Sequence, residues 1–441
     1  MQTAFKTQAE ILSKLHIDQL NPMQEAAGVA IENHTEIVLL SPTGTGKTLA
    51  FLLPLIKKLD PAITEIQALI LAPSRELAIQ IETVFREMGT GFKANAVYGG
   101  RHASKDKMEI KHRPAVLIGT PGRVSDHMRR ENFPTEFIQT LILDEFDKSL
   151  EVGFESEMTD IVNSLESISQ KILTSATNDI EIPDFIKLEN PQFVDFLNEG
   201  ESQLEVITVL SKEKDKIEAL VESLKNIGAQ PGIVFCNFKD SIERISDQLH
   251  ANHIPHGVFY GGMEQKDRER TLIKFRNGSY HLLLATDLAA RGIDIPELKF
   301  IFHYHLPNTA TEFTHRNGRT ARMNSEGIAY VLQWEKEELP DFIQSLNAKQ
   351  ISPKDLLVNP RVKKESFHTL FISGGRKDKI SKGDIAGLFL KQGLLEKEAL
   401  GTIEIKLDCA FVAIKASQSK RVIELLNNSK LKNKKVRITL V

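Results

Sequence analysis

The sequence predicts an α/β protein, with two parallel-sheet domains in tandem and a small β-α-β-β-α-β domain at the C-terminal end. Three observations carry this. Short apolar runs alternate with amphipathic stretches over residues 1–200, and the same rhythm returns over 204–360. Over 363–441 both the pattern and the charge change. The length of 441 residues suits two to four domains at roughly 100–200 residues each.

In the first domain, Ile37–Leu40, Ala68–Ala72, Ala115–Thr120, Leu141–Glu145 and Lys171–Thr177 read as buried parallel strands. Each is followed by helical sequence, of which Arg75–Met88 is the clearest amphipathic example. In the second domain the strands are Pro231–Cys236, His256–Gly261, Tyr280–Thr286 and Leu298–Tyr304. The polar stretch Asn198–Gln203 reads as the linker between them, and the second domain is expected to end near Pro360. The last domain reads as strand TLFIS, helix KGDIAGLFLKQG, strands GTIEI and AFVAI, helix SKRVIELLNN and strand KVRITLV. That order is ferredoxin-like, the topology of RNA-recognition modules.

Composition excludes some function classes. No stretch approaches the roughly 20 apolar residues that span a bilayer. The start MQTAFKTQAEILSK carries no apolar signal segment. Two cysteines far apart, Cys236 and Cys409, make neither a disulfide framework nor a metal cluster, and a cytoplasmic location is expected. The net charge of −3 hides an asymmetry: residues 361–441 hold 18 Lys+Arg against 8 Asp+Glu. A basic module on an acidic body suggests an anionic partner, with nucleic acid the first candidate.

Ser41-Pro-Thr-Gly-Thr-Gly-Lys47-Thr48 lies between an apolar strand and a helical run, the context a phosphate-binding loop requires. Gly44 and Gly46 let backbone N–H groups turn toward phosphate, Lys47 supplies a point charge, and Thr48 offers a hydroxyl to Mg²⁺. Asp144-Glu145-Phe146-Asp147 ends the strand Leu141–Leu143, at the ligand edge of a parallel sheet. There Asp144 suits Mg²⁺ and Glu145 suits the orientation of an attacking water. In the second domain Arg316, Arg319 and Arg322, spaced by three, are expected on one helical face. They fit either a surface ion-pair ladder or arginine fingers for a transferring phosphoryl group.

With these residues in order, the chain resembles the DEAD-box ATP-dependent RNA helicases of superfamily 2 over about residues 5–360. SPTGTGKT resembles AxTGxGKT, with Ser41 a departure, and Pro22-Met23-Gln24 resembles the end of the Q-motif. The elements Pro73–Leu77, Gly99-Gly100, Thr120–Arg123, Ser175–Thr177, Gln265-x-x-Arg268, Ala285–Asp294 and His315–Arg322 match family motifs. DEFD stands in place of DEAD, and Ala321 replaces a glycine, a change expected to be tolerated on a helix. The segment HTLFISGGRKDKISKGDIAGLF, with later FVAI and KVRITL, resembles the RNA-binding domain of DbpA-type DEAD-box proteins.

The resemblance implies two RecA-like domains, an RRM-like third domain, and an RNA-dependent ATPase that locally separates or remodels RNA. It implies ATP and Mg²⁺ held by Gln24, Thr43, Gly44, Thr45, Gly46, Lys47, Thr48 and Asp144, with Asp294 at the ribose and fingers at Arg319 and Arg322. RNA contacts fall on Arg75, Gly100, Thr120, Arg123 and Thr286, and on the basic loop carrying Arg376, Lys377 and Lys379. Coupling between the two ligands falls on Ser175, Thr177, Asp147 and His315. Members with this third domain act on large-subunit ribosomal RNA during ribosome assembly, so a structured rRNA partner and a monomer are expected. The rival expectation is an ATP-switched RNA clamp with little unwinding. Phe411 reads as a core residue, which leaves recognition to basic loops and edges more than to the sheet face.

Overall fold

A computed structural model describes residues 6–100, 103–177, 181–197, 203–287, 295, 298–321, 326–356 and 367–441. Two compact units emerge. One is Met1–Gln203 with Ala290–Asp294 and Thr311–Ser325, and the other is Leu204–Ala289 with Ile295–Ala310 and Glu326–Val441.

The first unit is built on strands β1 (Glu36–Leu40), β2 (Ala68–Leu71), β3 (Ala94–Val97), β4 (Val116–Gly119), β5 (Thr140–Leu143), β6 (Gln170–Ser175) and β7 (Gln192–Asp195). They form one parallel sheet in the order β3-β4-β2-β5-β6-β1-β7. Alternate residues of the interior strands enter opposite cores. Ile37 and Leu39 join the cluster with Phe51 and Phe85, whereas Val38 and Leu40 join the cluster with Phe146 and Ile161. Burial on both faces explains why these strands read as continuous apolar runs. The helix Arg75–Met88 has the predicted bounds, with Ser74 capping it by accepting from the Leu77 amide. The sequence pattern missed β3 and β7, which are short edge strands.

The second unit contains β8 (Gln203–Ser211), β9 (Gly232–Phe235), β10 (His256–Phe259), β11 (Leu282–Ala285), β12 (Phe300–His303), β13 (Glu326–Trp334) and β14 (Lys349–Ile351). Their order is β10-β11-β9-β12-β13-β8-β14. Cys236 is buried in this core, as expected of a small apolar residue. Among the described residues no helix is long and apolar enough to cross a membrane.

The C-terminal module carries β15 (Phe367–Ile372), β16 (Leu400–Ile405), β17 (Ala410–Lys415), the hairpin β18 (Lys430–Leu431) with β19 (Lys434–Lys435), and β20 (Ile438–Leu440). Helical segments begin at Lys382 and Ser419. The antiparallel sheet order β16-β17-β15-β20 confirms the β-α-β-β-α-β reading. One sheet face, with Leu370, Ile372, Val412 and Ile414, makes the module's core. Thr369, Phe371, Phe411 and Ala413 alternate onto the other face. The reading of Phe411 as a core residue is borne out, although it lies on this second face and not in the module's own core cluster. It pairs edge-on with Phe371 at 5.8 Å and is nevertheless buried.

That second face meets the helix Gln265–Arg276 and the turn after it. Arg276 pairs with Glu404 at 2.6 Å. The Asn277 amide donates to Thr369 Oγ1 at 3.1 Å, and the Ser279 and Thr369 hydroxyls lie 2.8 Å apart. Thr369 is only 1% exposed. The module is therefore packed on its neighbour through the face that an RRM ordinarily offers to bases.

Candidate active site

The sheet of the first unit ends in two adjacent functional clusters. The loops after β1, β5 and β6, which are neighbours in the sheet, carry the phosphate loop, the acidic pair and Ser175–Thr177. The loops after β3, β4 and β2 carry Gly100, Thr120 and Arg75. The carboxyl edge of a parallel sheet is where such loops converge.

In the phosphate loop, Gly44 and Gly46 adopt φ of 85° and 88°, a left-handed region that L side chains avoid. Gly46 starts the helix Lys47–Lys58, leaving its N-terminal amides and dipole facing the loop. A Cβ on Gly46 would lie 2.4 Å from Gln24 Nε2. Gln24 sits in a reciprocal cap: its amide donates to Asn21 Oδ1 at 2.9 Å and its Oε1 accepts from the Asn21 amide at 3.1 Å. Its Nε2 also donates to Gly46 O at 3.3 Å, and the Asn21 side chain donates to Thr45 O at 2.9 Å. The Ser41 departure is accommodated by a 2.7 Å hydroxyl contact with Thr45. Lys47 folds over the loop, donating to Pro42 O at 2.9 Å and to Ser41 O. Burial brings its ammonium down to about 8, against the pull of Glu145 and Asp144.

Burial and the adjacent Glu145 push the Asp144 carboxyl up to about 6. Glu145 is equally buried, which alone would raise it. Lys148, Arg319 and Lys47 outweigh burial and hold it at about 2. Lys148 is fully buried and pairs with Glu145 at 2.9 Å. The Thr174 hydroxyl donates to Asp144 Oδ1 at 2.6 Å and accepts from the Glu145 amide at 3.1 Å, tying both carboxylates to β6. Glu145 itself has φ of 49°, an uncommon backbone for a non-glycine residue at a functional turn. Phe146, the DEFD departure, points into the core at 1% exposure and does not enter the site.

The segment 311–325 belongs to this unit. Asp147 Oδ2 lies 3.4 Å from His315 Nε2, and Thr43 Oγ1 donates to Gly318 O at 2.8 Å. Ser175 and Thr177 close a turn on each other, with the Ser175 hydroxyl donating to Thr177 O at 2.9 Å and accepting from the Thr177 amide at 3.0 Å. Neither Asp147 carboxylate oxygen forms a hydrogen bond among the described residues. The helix ends at Asn317, which corrects the expectation of three arginines on one helical face. Arg316 is buried at 1%, and Arg319 follows in a turn. Ala321 is left-handed at φ 52°, not helical, so glycine would be the relaxed residue there. Arg322 and Asp294 lie outside the described residues.

A cavity of about 430 Å³ collects these groups. Its lining includes Gln24, Lys47, Thr48, Asp144, Glu145 and Arg319. The left-handed glycine cradle, the buried lysine and the desolvated carboxylate fit a nucleotide triphosphate with a divalent cation.

In the second cluster, Gly100 has φ of 81°, and a Cβ on it would lie 2.4 Å from Arg75 Nη1. Thr120 starts the helix Pro121–Arg129 without using its hydroxyl as a cap. Thr286 directly follows β11 in the other unit. In the C-terminal module, the Arg376 guanidinium donates to Ile405 O at 2.7 Å and anchors its loop, and Arg376, Lys377 and Lys379 are all exposed. The loop is tied to the basic hairpin by Lys434 and Asp378 at 2.8 Å.

Three family models match in order: DEAD/DEAH box helicase over residues 21–185, the helicase conserved C-terminal domain over 215–324, and the DbpA RNA binding domain over 369–440. The ATP-dependent RNA helicase DbpA of Bacillus subtilis is 30% identical over 450 residues, covering 94% of this chain and 93% of that protein. The chain belongs to the DEAD-box ATP-dependent RNA helicases. The Escherichia coli ATP-dependent RNA helicase DbpA is 29% identical and matches over 100% of both chains. The fold of this helicase resembles that of yeast Dbp5 bound to RNA and ADP BeF3, with a TM-score of 0.68 and 25% identity, covering 78% of this chain and 94% of that one. Mss116p bound to single-stranded RNA and AMP-PNP gives 0.67 at 25% identity, covering 78% and 76%.

Sequence reasoning about this helicase missed Asn21, Lys148 and Thr174. An Asn-Pro-x-Gln cap was readable as a helix start. Lys148 pairs with Glu145 three residues earlier, whereas Thr174 acts through bonds to residues that only the fold brings near it.

Proposed function

We propose that this helicase binds ATP·Mg²⁺ in the first-unit cavity, grips RNA backbone along the same sheet edge, and uses each turnover to separate short duplexes in structured RNA. The target class is large-subunit ribosomal RNA during ribosome assembly, with the protein acting as a cytoplasmic monomer. The observation that carries the reading is the placement of two clusters on neighbouring strands of one sheet.

In this reading the amides of Thr43, Gly44, Thr45 and Gly46 cradle the phosphates with Lys47. Thr48 and Asp144 would hold Mg²⁺, which would supply neutralisation of phosphate charge. Among the described residues no group of three or more His, Cys, Asp or Glu forms a metal cage. Such an ion would complete its shell from phosphate and water. Glu145, kept ionised by Lys148, orients the attacking water. Arg319, with Arg322 by motif, faces the transferring phosphoryl group. Gln24 reads adenine and Asp294 the ribose. Arg75, Gly100, Thr120, Arg123 and Thr286 meet RNA phosphates. Ser175, Thr177, Asp147 and His315 link the nucleotide to the RNA side. Lys377 and Lys379 engage the targeting RNA, on a loop that Arg376 anchors.

The test is steady-state ATPase of the full chain with no RNA, generic single-stranded RNA and large-subunit rRNA fragments, for wild type and Lys377→Glu/Lys379→Glu. One fragment should stimulate far more than the rest, and the double variant should lose that preference. Equal stimulation by every RNA refutes the rRNA target. ATP-dependent RNA retention without strand release in a duplex assay would favour the clamp.

A further inference from the structure

We propose that Asp106 is a positioning residue for RNA, holding Arg123 from behind so that its guanidinium meets the phosphate backbone already oriented. The inference rests on the reading of Arg123 as an RNA contact. Asp106 lies on the helix Ala103–Lys111, outside every motif read from the sequence, and Arg123 lies on the helix Pro121–Arg129. Arg123 Nε donates to Asp106 Oδ2 at 2.7 Å. The carboxylate is fully buried, whereas the Arg123 side chain is 14% exposed. The pair therefore runs from the interior to the surface, with the carboxylate at its closed end.

A buried carboxylate is costly unless its charge is met. Here a second group joins Arg123. His127 Nε2 lies 3.6 Å from the same Oδ2, longer than a hydrogen bond, and His127 is 1% exposed. The Asn132 amide lies 2.8 Å from His127 Nδ1 and fixes the ring. Asp126, 3.9 Å from Arg123 Nη1, is instead engaged by Arg130 at 2.8 Å. Asp106 is thus a fully buried anion bonded to Nε of the Arg123 guanidinium, where it constrains the plane of the group. A planar fork whose plane is already set loses less side-chain freedom when it grips a phosphate oxygen. A flexible arginine on the same helix would lose more.

The experiment uses the full chain, a fluorescein-labelled single-stranded oligoribonucleotide, and ADP with beryllium fluoride. Anisotropy gives the RNA Kd, and ATPase titrations give the RNA KM and the kcat at saturating RNA. Arg123→Ala should raise Kd about tenfold and lower the salt slope by about 0.7, the loss of one phosphate contact on a single strand. Asp106→Asn should raise Kd and RNA KM about fivefold, leave kcat at saturating RNA unchanged, and add nothing in the Arg123→Ala background. Asp106→Glu, which keeps the charge, should recover part of the affinity. Nucleotide affinity without RNA should stay at the wild-type value in each variant, whereas general loss of structure would lower it. If Arg123→Ala weakens RNA but Asp106→Asn does not, or tightens it, Asp106 is a competitor or a bystander and the proposal falls. An Asp106→Asn effect that persists without Arg123 overturns it equally. If Arg123→Ala has no effect, the RNA reading of Arg123 itself fails.

Discussion

A single methyl group at Gly100 should separate the RNA site from the nucleotide site. Gly100→Ala places Cβ 2.4 Å from Arg75 Nη1 at a backbone φ of 81°. An L side chain in that region costs about 1–2 kcal/mol. The clash falls on the guanidinium end of Arg75, which must swing away and, in the proposed RNA site, would forfeit part of a charge-assisted bond to phosphate, worth about 1.5–3 kcal/mol. Some strain relaxes into the exposed loop, so a net loss of about 1.5–3 kcal/mol in RNA binding is expected, or roughly 10- to 150-fold in Kd. The assay is anisotropy of labelled single-stranded RNA at a fixed salt concentration, with a fluorescent nucleotide titrated in parallel without RNA. Nucleotide affinity should change less than about twofold, because the cavity lining does not include Gly100 or Arg75. Unchanged RNA affinity in a folded variant would refute the reasoning, and so would equal losses of RNA and nucleotide.

Three further outcomes are expected. Thr174→Val removes the hydroxyl that holds Asp144 and the Glu145 amide, at a cost of about 1–3 kcal/mol; single-turnover ATP hydrolysis should slow about tenfold or more, while a rate within twofold would show the bridge to be idle. Lys148→Met leaves the buried Glu145 without its nearest cation, a change worth about 3–5 kcal/mol for a broken buried pair; the melting temperature and turnover should both fall, and an unchanged melting temperature would exclude the pairing. The Asp384 carboxyl is held at about 2 by the Ser381 hydroxyl, by Lys432 and by the Ser381 amide. Its folded value lies below the unfolded one near 4, so its stabilisation is present above about pH 4 and is lost as pH falls toward 2. The stability gap between wild type and Asp384→Asn should shrink over that window in thermal unfolding, and a constant gap would contradict the assignment.

The first unit's interior strands were legible because each is buried on both faces and appears as an unbroken apolar run, whereas β8 and β13, interior in the second sheet, were not read. The edge strands Ala94–Val97 and Gln192–Asp195 were not, because partial exposure dilutes that signal with polar residues. The phosphate loop and acidic pair were legible because their chemistry is local in sequence. Thr174 was hidden inside a strand motif, although its hydroxyl joins two residues 30 positions and 29 positions away. The arginine run misled in the opposite way. Spacing by three is compatible with a helix, but Asn317 ends it, and only the backbone at Ala321 reveals why the family's pattern has glycine at that point. Phe411 looked like a core residue by its apolarity, and is buried, but on the face that packs against another domain.

That packing makes the C-terminal module a ruler. With Thr369 held by Asn277 and Ser279, and Glu404 held by Arg276, the exposed Lys377 and Lys379 keep a set distance from the end of β11. If the loop anchors RNA as proposed, that RNA can present its duplex to this half of the motor only if the intervening nucleotides have the right span. Selection then depends on the architecture of the RNA, on how far apart its anchor and its helix lie, as well as on which bases it carries. An RNA whose spacer is too short or too long would bind through the anchor and still leave the motor idle.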